Sequence, residues 1–396
     1  MTAWDLRQAL DTRRQEHLYR QRPLVTSAQG PAVSMGDHQY LCFCSNDYLG
    51  LAAHPEVRRA FLQAAEQYGV GATASHLING HMQPHQELEE RLAKLTNRPR
   101  ALLFSSGYMA NLGVMSALLG KQDAVFADRL NHASLIDGVA LSGAKSVRFG
   151  HQDLPHLASR LESVRARRKL IVTDGIFSMD GDAAQLPALA HLAAAHDAWL
   201  MVDDAHGIGV AGQTGAGTVE AQGLSDEQVP ILMATLGKAM GTFGAFVAGS
   251  EQLIETLIQF SRTYIYTTAL PPALAVATLA SLEVLRQEPG RREHLNNLIR
   301  RFRHQASENQ LPLLASESPI QAIIVGSAED ALQLNQFLLS EGILVTAIRP
   351  PTVPRGTARL RITLSAAHSN EQIDRLVASL IKAKQKLPGS FNYAGQ

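Results

Sequence analysis

The sequence lacks an excess of charge of either sign and is poor in cysteine. Its 396 residues carry 36 basic and 36 acidic side chains, so bulk charge favours neither nucleic acid nor an anionic membrane as a partner. The only cysteines, Cys42 and Cys44, are separated by one residue. On a strand they would share a face about 7 Å apart, too far for an unstrained disulfide. Free thiols favour a reducing, cytoplasmic setting.

Long apolar runs are also missing. The residues around Trp4 and Arg7 show no apolar segment typical of a secretory signal. The most apolar stretch, 101–120, is interrupted by Ser105, Ser106 and Gly107, which favours a strand, a turn and a buried helix over a membrane span. The apolar share of 45% and the length predict a globular protein with one large and one smaller domain.

From about residue 45, short apolar runs alternate with helical stretches. This alternation predicts an α/β fold with a mostly parallel sheet covered by helices on both faces. The predicted strands are 101–104, 124–127, 146–149, 170–173, 199–202, 231–235 and 245–248, and the predicted helices include 84–95, 154–167 and 186–196. Ligands of such sheets bind at the carboxyl ends of the strands.

The two ends of the chain show a different pattern of predicted helices and strands. Residues 1–22 predict an amphipathic, arginine-rich helix that Pro23 ends. After about residue 275 we predict a smaller α+β domain, with strands 321–325, 344–348 and 359–364 and helices 273–287, 328–340 and 370–384. The expected domains are therefore an N-terminal helix and arm (1–44), a large domain (45–275) and a small C-terminal domain (276–396).

Lys238 is the first candidate for chemistry. It follows an apolar run, lies between Gly237, Ala239 and Gly241, and is the only lysine between residues 169 and 382. Small neighbours allow the backbone to approach a ligand closely. Taken alone, a lysine in such a loop is more often a surface residue, so its role depends on the other motifs.

The second motif is W-L-M-V-D-D-A-H-G at 199–207, where a predicted buried strand ends in two acids and a histidine. Asp203 is placed to pair with a cationic ring nitrogen and keep it protonated. His206 could reach an oxygen on the same ring. The alternative is a strand-end cap in which Asp204 is solvated.

Two further motifs follow strand ends. In F-S-S-G-Y-M-A-N at 104–111, a helix begins near Gly107 and Tyr108, and its backbone N–H groups could bind a phosphate. In D-R-L-N-H-A-S-L at 128–135, His132 could stack on a ring or be a core histidine. Both motifs are common when they occur singly.

The last polar segments are D-G-I-F-S-M-D-G-D at 174–182 and T-A-R-L-R-I-T-L-S at 357–365. Ser178 and Asp174 could join a polar network around a ring, while Asp180 and Asp182 could only shape the turn. Arg359 and Arg361 share one face of a strand, and one of them could bind a carboxylate bidentately. A structural ion pair is the equally weighted alternative. We identify no metal ligand in the sequence.

These segments, in this order, resemble the α-oxoamine synthases, a family of fold-type I enzymes that use pyridoxal 5'-phosphate (PLP). The resemblance rests also on S-N-D-Y-L-G-L at 45–51, H-x-x-L-E at 85–89, S-M-D-G-D at 178–182, D-D-A-H-G at 203–207 and T-L-G-K at 235–238, and it spans residues 10–385. It implies a homodimer that condenses an amino acid with an acyl thioester.

The resemblance also implies roles for individual residues. Lys238 carries the cofactor, Asp203 pairs with its ring nitrogen, and His132 stacks on the ring and contacts the substrate; these three are the expected catalytic residues. The other expected cofactor contacts are His206, Ser178, Gly107, Tyr108 and Thr235, with Thr267 and Thr268 reaching the phosphate in the partner subunit. The other expected substrate contacts are Arg20, Asn46, Thr352 and Arg361.

Within the family, residues 348–361 resemble the branch that acts in biotin biosynthesis. That branch implies L-alanine and a pimeloyl thioester, carried by coenzyme A or an acyl carrier protein, as substrates. Two alternatives stay open: a glycine-using branch such as 2-amino-3-ketobutyrate ligase, and an inactive relative that serves as a scaffold. The presence of Lys238 and Asp203 disfavours the scaffold.

Overall fold

A computed structural model of the chain describes residue 4 and residues 6–391. These residues form two compact units. The terminal unit contains the described residues up to Gly50, the short segment Met179–Asp182, and the described residues from Gly290 onward. The central unit contains Leu51–Ser178 and Ala183–Pro289. No helix in the described part of the chain has both the length and the apolar character that crossing a membrane requires.

Strands and helices alternate through most of the chain. The strands are β1 (Ala32–Met35), β2 (His38–Cys42), β3 (Arg100–Phe104), β4 (Ala124–Asp128), β5 (Lys145–Phe149), β6 (Lys169–Asp174), β7 (Ala198–Asp203), β8 (Ile231–Thr235), β9 (Ala245–Gly249), β10 (Ile320–Gly326), β11 (Ile343–Leu344), β12 (Thr346–Ile348) and β13 (Ala358–Thr363). The α-helices are α1 (Leu6–Gln15), α2 (Pro55–Tyr68), α3 (Gln83–Leu95), α4 (Gly107–Leu118), α5 (Ala133–Ser142), α6 (Leu154–Ser163), α7 (Leu186–Ala195), α8 (Thr218–Ala221), α9 (Glu251–Phe260), α10 (Arg262–Ile265), α11 (Pro272–Gln287), α12 (Gly290–Glu308), α13 (Ala328–Ser340) and α14 (Asn370–Lys386). A π-helix covers His76–Gly80, and a 3₁₀ turn covers Pro388–Phe391.

The central unit is built on a seven-stranded sheet in the order β3-β9-β8-β7-β6-β4-β5. Strands β4 to β8 pair in parallel, whereas β9 is antiparallel to both of its neighbours. Alternate residues of β4 enter different apolar clusters: Val125 and Ala127 enter one, and Ala124 and Phe126 the other. Both faces are therefore covered, which confirms the predicted mostly parallel α/β sheet.

One helix of this unit is shorter than predicted. Helix α6 ends at Ser163, whereas the sequence predicted it to reach residue 167. Val164 already has an extended backbone. Beyond it, the Arg167 guanidinium binds the Asp123 carboxylate through two hydrogen bonds of 3.0 and 2.8 Å. This ion pair and a backbone bond to Gln122 draw the chain away from the helical path.

The terminal unit contains two small sheets, in the orders β1-β2-β11 and β10-β13-β12. The single strand predicted at 344–348 is two strands, because β11 pairs in parallel with β2 while β12 pairs with β13. Val345 lies at the crossing, and the Asn335 side chain donates to its carbonyl at 2.9 Å. Helix α12 was not predicted, although its buried residues Leu295, Leu298, Ile299 and Phe302 recur at helical spacing among many arginines.

The predicted N-terminal helix is too long. Within the described residues it covers Leu6–Gln15 only, and residues 1–3 and 5 of the prediction lie outside them. His17 has a positive φ of 57°, and the next residue, Leu18, donates its N–H to the Arg13 carbonyl at 2.8 Å. This arrangement is a Schellman C-cap, which ends the helix well before Pro23.

The predicted separation of the two cysteines is wrong. Strand β2 ends at Cys42, so Cys44 does not continue the alternation of a strand. The two sulfur atoms lie 3.8 Å apart, and both thiols are free.

The two compact units do not follow the domain limits expected from the sequence. The expected boundary after residue 275 falls inside α11, which packs against α2 and α3 in the central unit. The segment Met179–Asp182 belongs to the terminal unit, although the residues on either side of it belong to the central one. The three domain limits themselves remain a prediction.

Glu89 of α3 is a buried acid that links this helix to the sheet. Its side chain is 8% exposed and accepts a hydrogen bond of 2.9 Å from the backbone N–H of Leu103 in β3. Burial raises the pKa of Glu89 from its ordinary value of 4.5 to about 7. Between these pH values the folded chain keeps a proton that the unfolded chain has released, so the free energy of unfolding falls as pH rises.

We expect Glu89→Gln to remove this fall, because the amide oxygen can still accept from Leu103 and cannot ionise. Relative to the unchanged protein, the variant should gain up to roughly 3 kcal/mol in free energy of unfolding between pH 4.5 and pH 8. Urea unfolding followed over this range measures the effect. Glu87→Gln, on the exposed face of the same helix, is the control. If the free energy of unfolding changed with pH by the same amount in Glu89→Gln and in the unchanged protein, this explanation would be contradicted.

Candidate active site

Polar side chains collect where the parallel strands of the central unit end. His132 caps α5 after β4, and Asp174 and Asp203 are the last residues of β6 and β7. Lys238 lies in the turn that follows β8. Because these strands are parallel neighbours, their carboxyl ends meet at one edge of the sheet.

Lys238 is held in a tight turn. Its Nζ lies 2.7 Å from His206 Nε2, and its carbonyl accepts from the N–H of Gly241 at 2.8 Å. Gly241 has a φ of 66°, and a Cβ there would lie 2.3 Å from the backbone nitrogen of Ala52. Only glycine fits this position, so the small-residue pattern around the lysine reflects close packing of the turn.

Asp203 is a buried carboxylate with defined partners. It is 5% exposed, and it accepts hydrogen bonds from Asn111 Nδ2 at 2.8 Å and from the backbone N–H of Ala205 at 3.1 Å. For neighbouring Asp174, burial and then the charge of Asp203 raise the pKa well above the ordinary value. A carboxyl with so high a pKa is a poor counter-ion, so Asp203 is the better candidate to balance a cation.

Asp204 has a structural role. It is fully buried, and its two oxygens accept from the backbone N–H and the hydroxyl of Thr218 at 2.6 and 2.8 Å. A Cβ on Gly207 or Gly217 would lie about 2 Å from these oxygens, at 2.1 and 1.9 Å. The interpretation of Asp204 as solvated is therefore wrong. Its carboxyl is enclosed by backbone and cannot serve a ligand.

A chain of hydrogen bonds connects Asp203 to His132. Asn111 Nδ2 donates both to Asp203 and to Ser134 Oγ, each at 2.8 Å. Ser134 Oγ thus accepts from Asn111 and donates its own proton to His132 Nδ1, 2.7 Å away. Burial lowers the pKa of His132, which favours the neutral ring. The imidazole proton therefore resides on Nε2, and that nitrogen is a hydrogen-bond donor.

Asn111 and Ser134 had no role in the sequence predictions, although both lie in segments quoted there. The available signal was an amide in the middle of an otherwise apolar helix, α4. Asn111 Oδ1 is buried, and no described residue supplies it with a hydrogen bond. A buried acceptor in this state indicates room for a donor from a ligand or water.

Two of the predicted phosphate contacts, Gly107 and Tyr108, are the first residues of α4. Ser106 caps this helix by accepting from Met109, so the N–H groups at Gly107 and Tyr108 lie at its first turn, where anions bind well. Tyr108 is 43% exposed, and its hydroxyl bonds to Asp137. Thr235, at the end of β8, bonds to the Gly244 carbonyl at 3.0 Å.

The other expected cofactor contacts lie in connecting segments. Ser178 is half-buried in the turn after β6. Thr267 is half-buried and Thr268 exposed, in the segment between α10 and α11.

In the terminal unit the two arginines of β13 have different surroundings. Arg359 forms an ion pair with Asp180, so Asp180 does more than shape its turn. Arg361 is 6% exposed, and its Nη2 donates to Asn46 Oδ1 at 3.1 Å and approaches the Tyr48 hydroxyl at 3.5 Å. Arg359 thus forms a structural ion pair. Arg361 donates to the Asn46 amide oxygen and stays the predicted carboxylate contact.

Arg20 and Thr352 lie in a separate group around Arg349, a residue that the sequence did not single out. The Arg349 guanidinium donates to the carbonyl of His17, and the Arg349 carbonyl accepts from the N–H of Thr352 at 3.1 Å. Burial, and then the nearby charge of Arg20, lowers the pKa of Arg349. Arg20 and Thr352 are exposed, whereas Asn46 is half-buried beside Arg361.

The donor set of the central unit fits a phosphorylated aromatic cofactor with a cationic ring. It offers a helix start for a phosphate, a buried carboxylate for a ring cation and an amine for covalent attachment. The unpaired oxygen of Asn111 adds an acceptor next to the same carboxylate.

Comparison with known proteins identifies the class. Residues 38–380 match the family described as aminotransferase class I and II, and the chain belongs to that family. A serine palmitoyltransferase structure with PLP has a TM-score of 0.92 at 31% identity, covering 98% of this chain and 100% of that one. A structure of 8-amino-7-oxononanoate synthase from Francisella tularensis has a TM-score of 0.77 at 35% identity, covering 88% and 98%.

The curated relatives are more specific. The 8-amino-7-oxononanoate synthase of Pseudomonas savastanoi pv. phaseolicola is 61% identical over 378 residues, which is 96% of this chain and 95% of the relative. The enzyme of the same name from Pseudomonas aeruginosa is 59% identical, covering 98% and 97%. The resemblance found from the motifs is confirmed.

The hydrogen-bond chain makes a specific prediction for Ser134→Ala. Without the hydroxyl, His132 Nδ1 loses a donor that only the neutral ring can use, so the pKa of His132 should rise and Nδ1 should become protonated in part. Nitrogen-15 NMR of labelled histidine reports both changes. Ser142→Ala, in the same helix, is the control, since its hydroxyl bonds to the Val139 carbonyl. An unchanged His132 signal would refute the proton assignment.

Proposed function

We propose that this chain is a PLP-dependent acyltransferase that condenses L-alanine with a pimeloyl thioester in biotin biosynthesis. The products are 8-amino-7-oxononanoate, CO2 and the free thiol carrier. The observation that carries the proposal is the near full-length similarity, at about 60% identity, to 8-amino-7-oxononanoate synthases. The position of Lys238 beside His206 and near a buried carboxylate agrees with it.

PLP is the cofactor, and when bound it supplies an electron sink for negative charge at the amino-acid α-carbon. Lys238 would hold it covalently through Nζ, and Asp203 would hold the proton on its ring nitrogen. His132 would stack on the ring. The remaining contacts would come from His206 and Ser178 at ring oxygens, from Gly107, Tyr108 and Thr235 at the phosphate, and from Thr267 and Thr268 of the partner subunit.

Asp203 would keep a neighbouring ring nitrogen protonated, and its position is fixed by two donors. Two hydrogen bonds, from Asn111 and from the Ala205 backbone, orient the carboxylate and offset part of the cost of burying it. A misplaced or neutral side chain at this position would let the ring proton leave.

Once the amino group of alanine has displaced Lys238 from the cofactor, the freed Nζ would be the base that removes the alanine α-proton and later returns a proton to the product carbon. An amine can act this way only when it is neutral. His206 Nε2, 2.7 Å from Nζ, accepts a hydrogen bond from the amine and orients its lone pair.

His132 contributes a donor and Arg361 a cation. The Nε2–H of His132 is suited to hydrogen-bond the thioester carbonyl oxygen as negative charge develops there. Arg361 would bind the alanine carboxylate through its planar guanidinium, with Asn46 orienting that group. Arg20 and Thr352, gathered around Arg349, would contact the acyl substrate.

The test is an assay of the purified holoenzyme with alanine, glycine or serine and pimeloyl-CoA or pimeloyl-carrier protein, with products identified by mass. We expect 8-amino-7-oxononanoate from alanine, and none from Lys238→Ala. A strong preference for glycine would favour the 2-amino-3-ketobutyrate ligase alternative, and no turnover with any pair would favour a scaffold.

Arg361→Ala should raise the KM for alanine at least tenfold while cofactor binding is retained. Arg300→Ala, at an exposed arginine, should leave that KM unchanged.

The proposal includes a homodimer that shares its sites. Ile78 is 79% exposed and Tyr266 71% exposed, and a backbone bond of 2.9 Å between Ala269 and Ala74 ties their two segments together. Exposed apolar side chains on adjoining segments are typical of a protein interface. The segment of Tyr266 also contains Thr267 and Thr268.

A reducing location such as the cytoplasm stays a prediction from the cysteines.

Complementation tests the shared site. Lys238→Ala and the double variant Thr267→Ala/Thr268→Ala would each be poorly active alone. After subunit exchange, one site of a mixed dimer carries both defects and the other carries neither, because a two-fold interface is isologous. Activity should recover to about half per mixed dimer. If mass spectrometry confirms exchange and activity stays low, the threonines do not act across the interface.

A further inference from the structure

Three histidines that the proposed reaction does not use converge in the central unit. They are His76, His81 and His85, and one ring nitrogen of each lies within 4.8 Å of the corresponding nitrogens of the other two. His76 begins the π-helix, His81 follows it, and His85 lies in the first turn of α3.

The π-helix explains why the sequence did not reveal this group. Residues five apart do not share a face of an α-helix, where neighbours are three or four apart. In a π-helix the backbone bonds run between residues five apart, as between the Gly80 N–H and the Ser75 carbonyl at 3.0 Å. The same widened turn brings His76 and His81 to one side.

The two rings face each other through Nδ1, with 2.9 Å between the nitrogens. His81 Nε2 lies 3.4 Å from the amide oxygen of Gln86, and the Gln86 amide nitrogen donates to Glu90, so His81 Nε2 is the donor in its pair. His81 Nδ1 therefore presents a lone pair to His76. A single proton lies between the two nitrogens, and a cation can replace it.

The spacing of the two nitrogens suits one class of metal. With metal–nitrogen bonds of about 2.0–2.1 Å, two ligands at 90° are about 2.9 Å apart, and two tetrahedral ligands about 3.3 Å apart. The observed 2.9 Å matches right-angled ligands. Square-planar and octahedral geometry with imidazole ligands is typical of Cu²⁺ and Ni²⁺.

The surroundings of His76 keep its ring neutral and oriented. Burial lowers the pKa of His76 to about 3, which favours the neutral ring; the one proton of this ring moves from Nδ1 to Nε2 when Nδ1 binds a cation. His76 stacks on Tyr264 with ring centres 5.1 Å apart and an 11° angle between the planes. His81 is half-buried, which gives a cation a path from solvent.

His85 lies beside this pair, but both of its ring nitrogens bond to other groups. Its Nδ1 accepts from the Met82 N–H at 2.9 Å, so its Nε2 donates to the Leu270 carbonyl at 2.6 Å. With both nitrogens used, it can become a third ligand only by giving up one of these bonds.

We propose that His76 and His81 form a binding site for a late first-row divalent cation, with Cu²⁺ or Ni²⁺ held by the two Nδ1 atoms and water completing the coordination.

The test uses the PLP-loaded protein and Cu²⁺ or Ni²⁺ alone. Electron paramagnetic resonance with less than one equivalent of Cu²⁺ should show hyperfine coupling to two imidazole nitrogens, or to three if His85 joins. Calorimetry with Ni²⁺ should show one site per chain. His76→Asn and His81→Asn should each weaken Ni²⁺ binding at least tenfold, whereas His304→Asn, at an exposed histidine, should not.

Coupling to one nitrogen or none would overturn the site, as would binding to both variants with unchanged affinity. Either result would mean that the cation is held elsewhere and that the two rings form only a hydrogen bond. Cofactor absorbance and circular dichroism check that each variant folds. If His76→Asn does not fold, the half-buried His81→Asn decides the question by itself.

Discussion

The hydrogen bond from Asn111 to Asp203 is the interaction on which the rest of the candidate site depends. It crosses from helix α4 to the end of β7 and holds a carboxylate in a position that is 5% exposed. A buried charge without such donors would be costly, and the side chain would take up a proton instead. Through its second N–H, the same amide also orients the Ser134 hydroxyl, which together with the Ser134 backbone N–H donates to His132 Nδ1 and leaves the ring proton on Nε2. One side chain thus prepares both a counter-ion and a donor.

The adjacent acids Asp203 and Asp204 show how one step along the chain separates chemistry from structure. Asp203 is the last residue of β7, whereas Asp204 lies just beyond the strand. Asp203 points to the α4 side and bonds to Asn111, while Asp204 is enclosed by Thr218 and by glycines that leave room for its oxygens. The D-D-A-H-G motif therefore needs both acids for different reasons, and the glycine of this motif belongs to the enclosure of the second.

The terminal unit makes a similar distinction between two arginines. Arg359 and Arg361 share a face of β13, and their sequence pattern does not rank them. Asp180 comes from Met179–Asp182, far away in the chain, and neutralises Arg359. Arg361 instead bonds to the neutral side chains of Asn46 and Tyr48, an arrangement suited to receiving a ligand carboxylate.

Local pattern alone determined much of the fold. Strand β8 and helix α13 have the predicted bounds, because each is a continuous apolar run or a regular helical repeat with clear ends. The motifs also placed Lys238, Asp203 and His132 at strand ends. Tertiary contacts decided the rest: the two strands at 343–348, the helix end at His17, the 3.8 Å between the cysteine sulfurs, and the meeting of His76 with His81. Each depends on partners distant in sequence or on backbone angles that side-chain pattern does not encode, so only the folded chain could decide it.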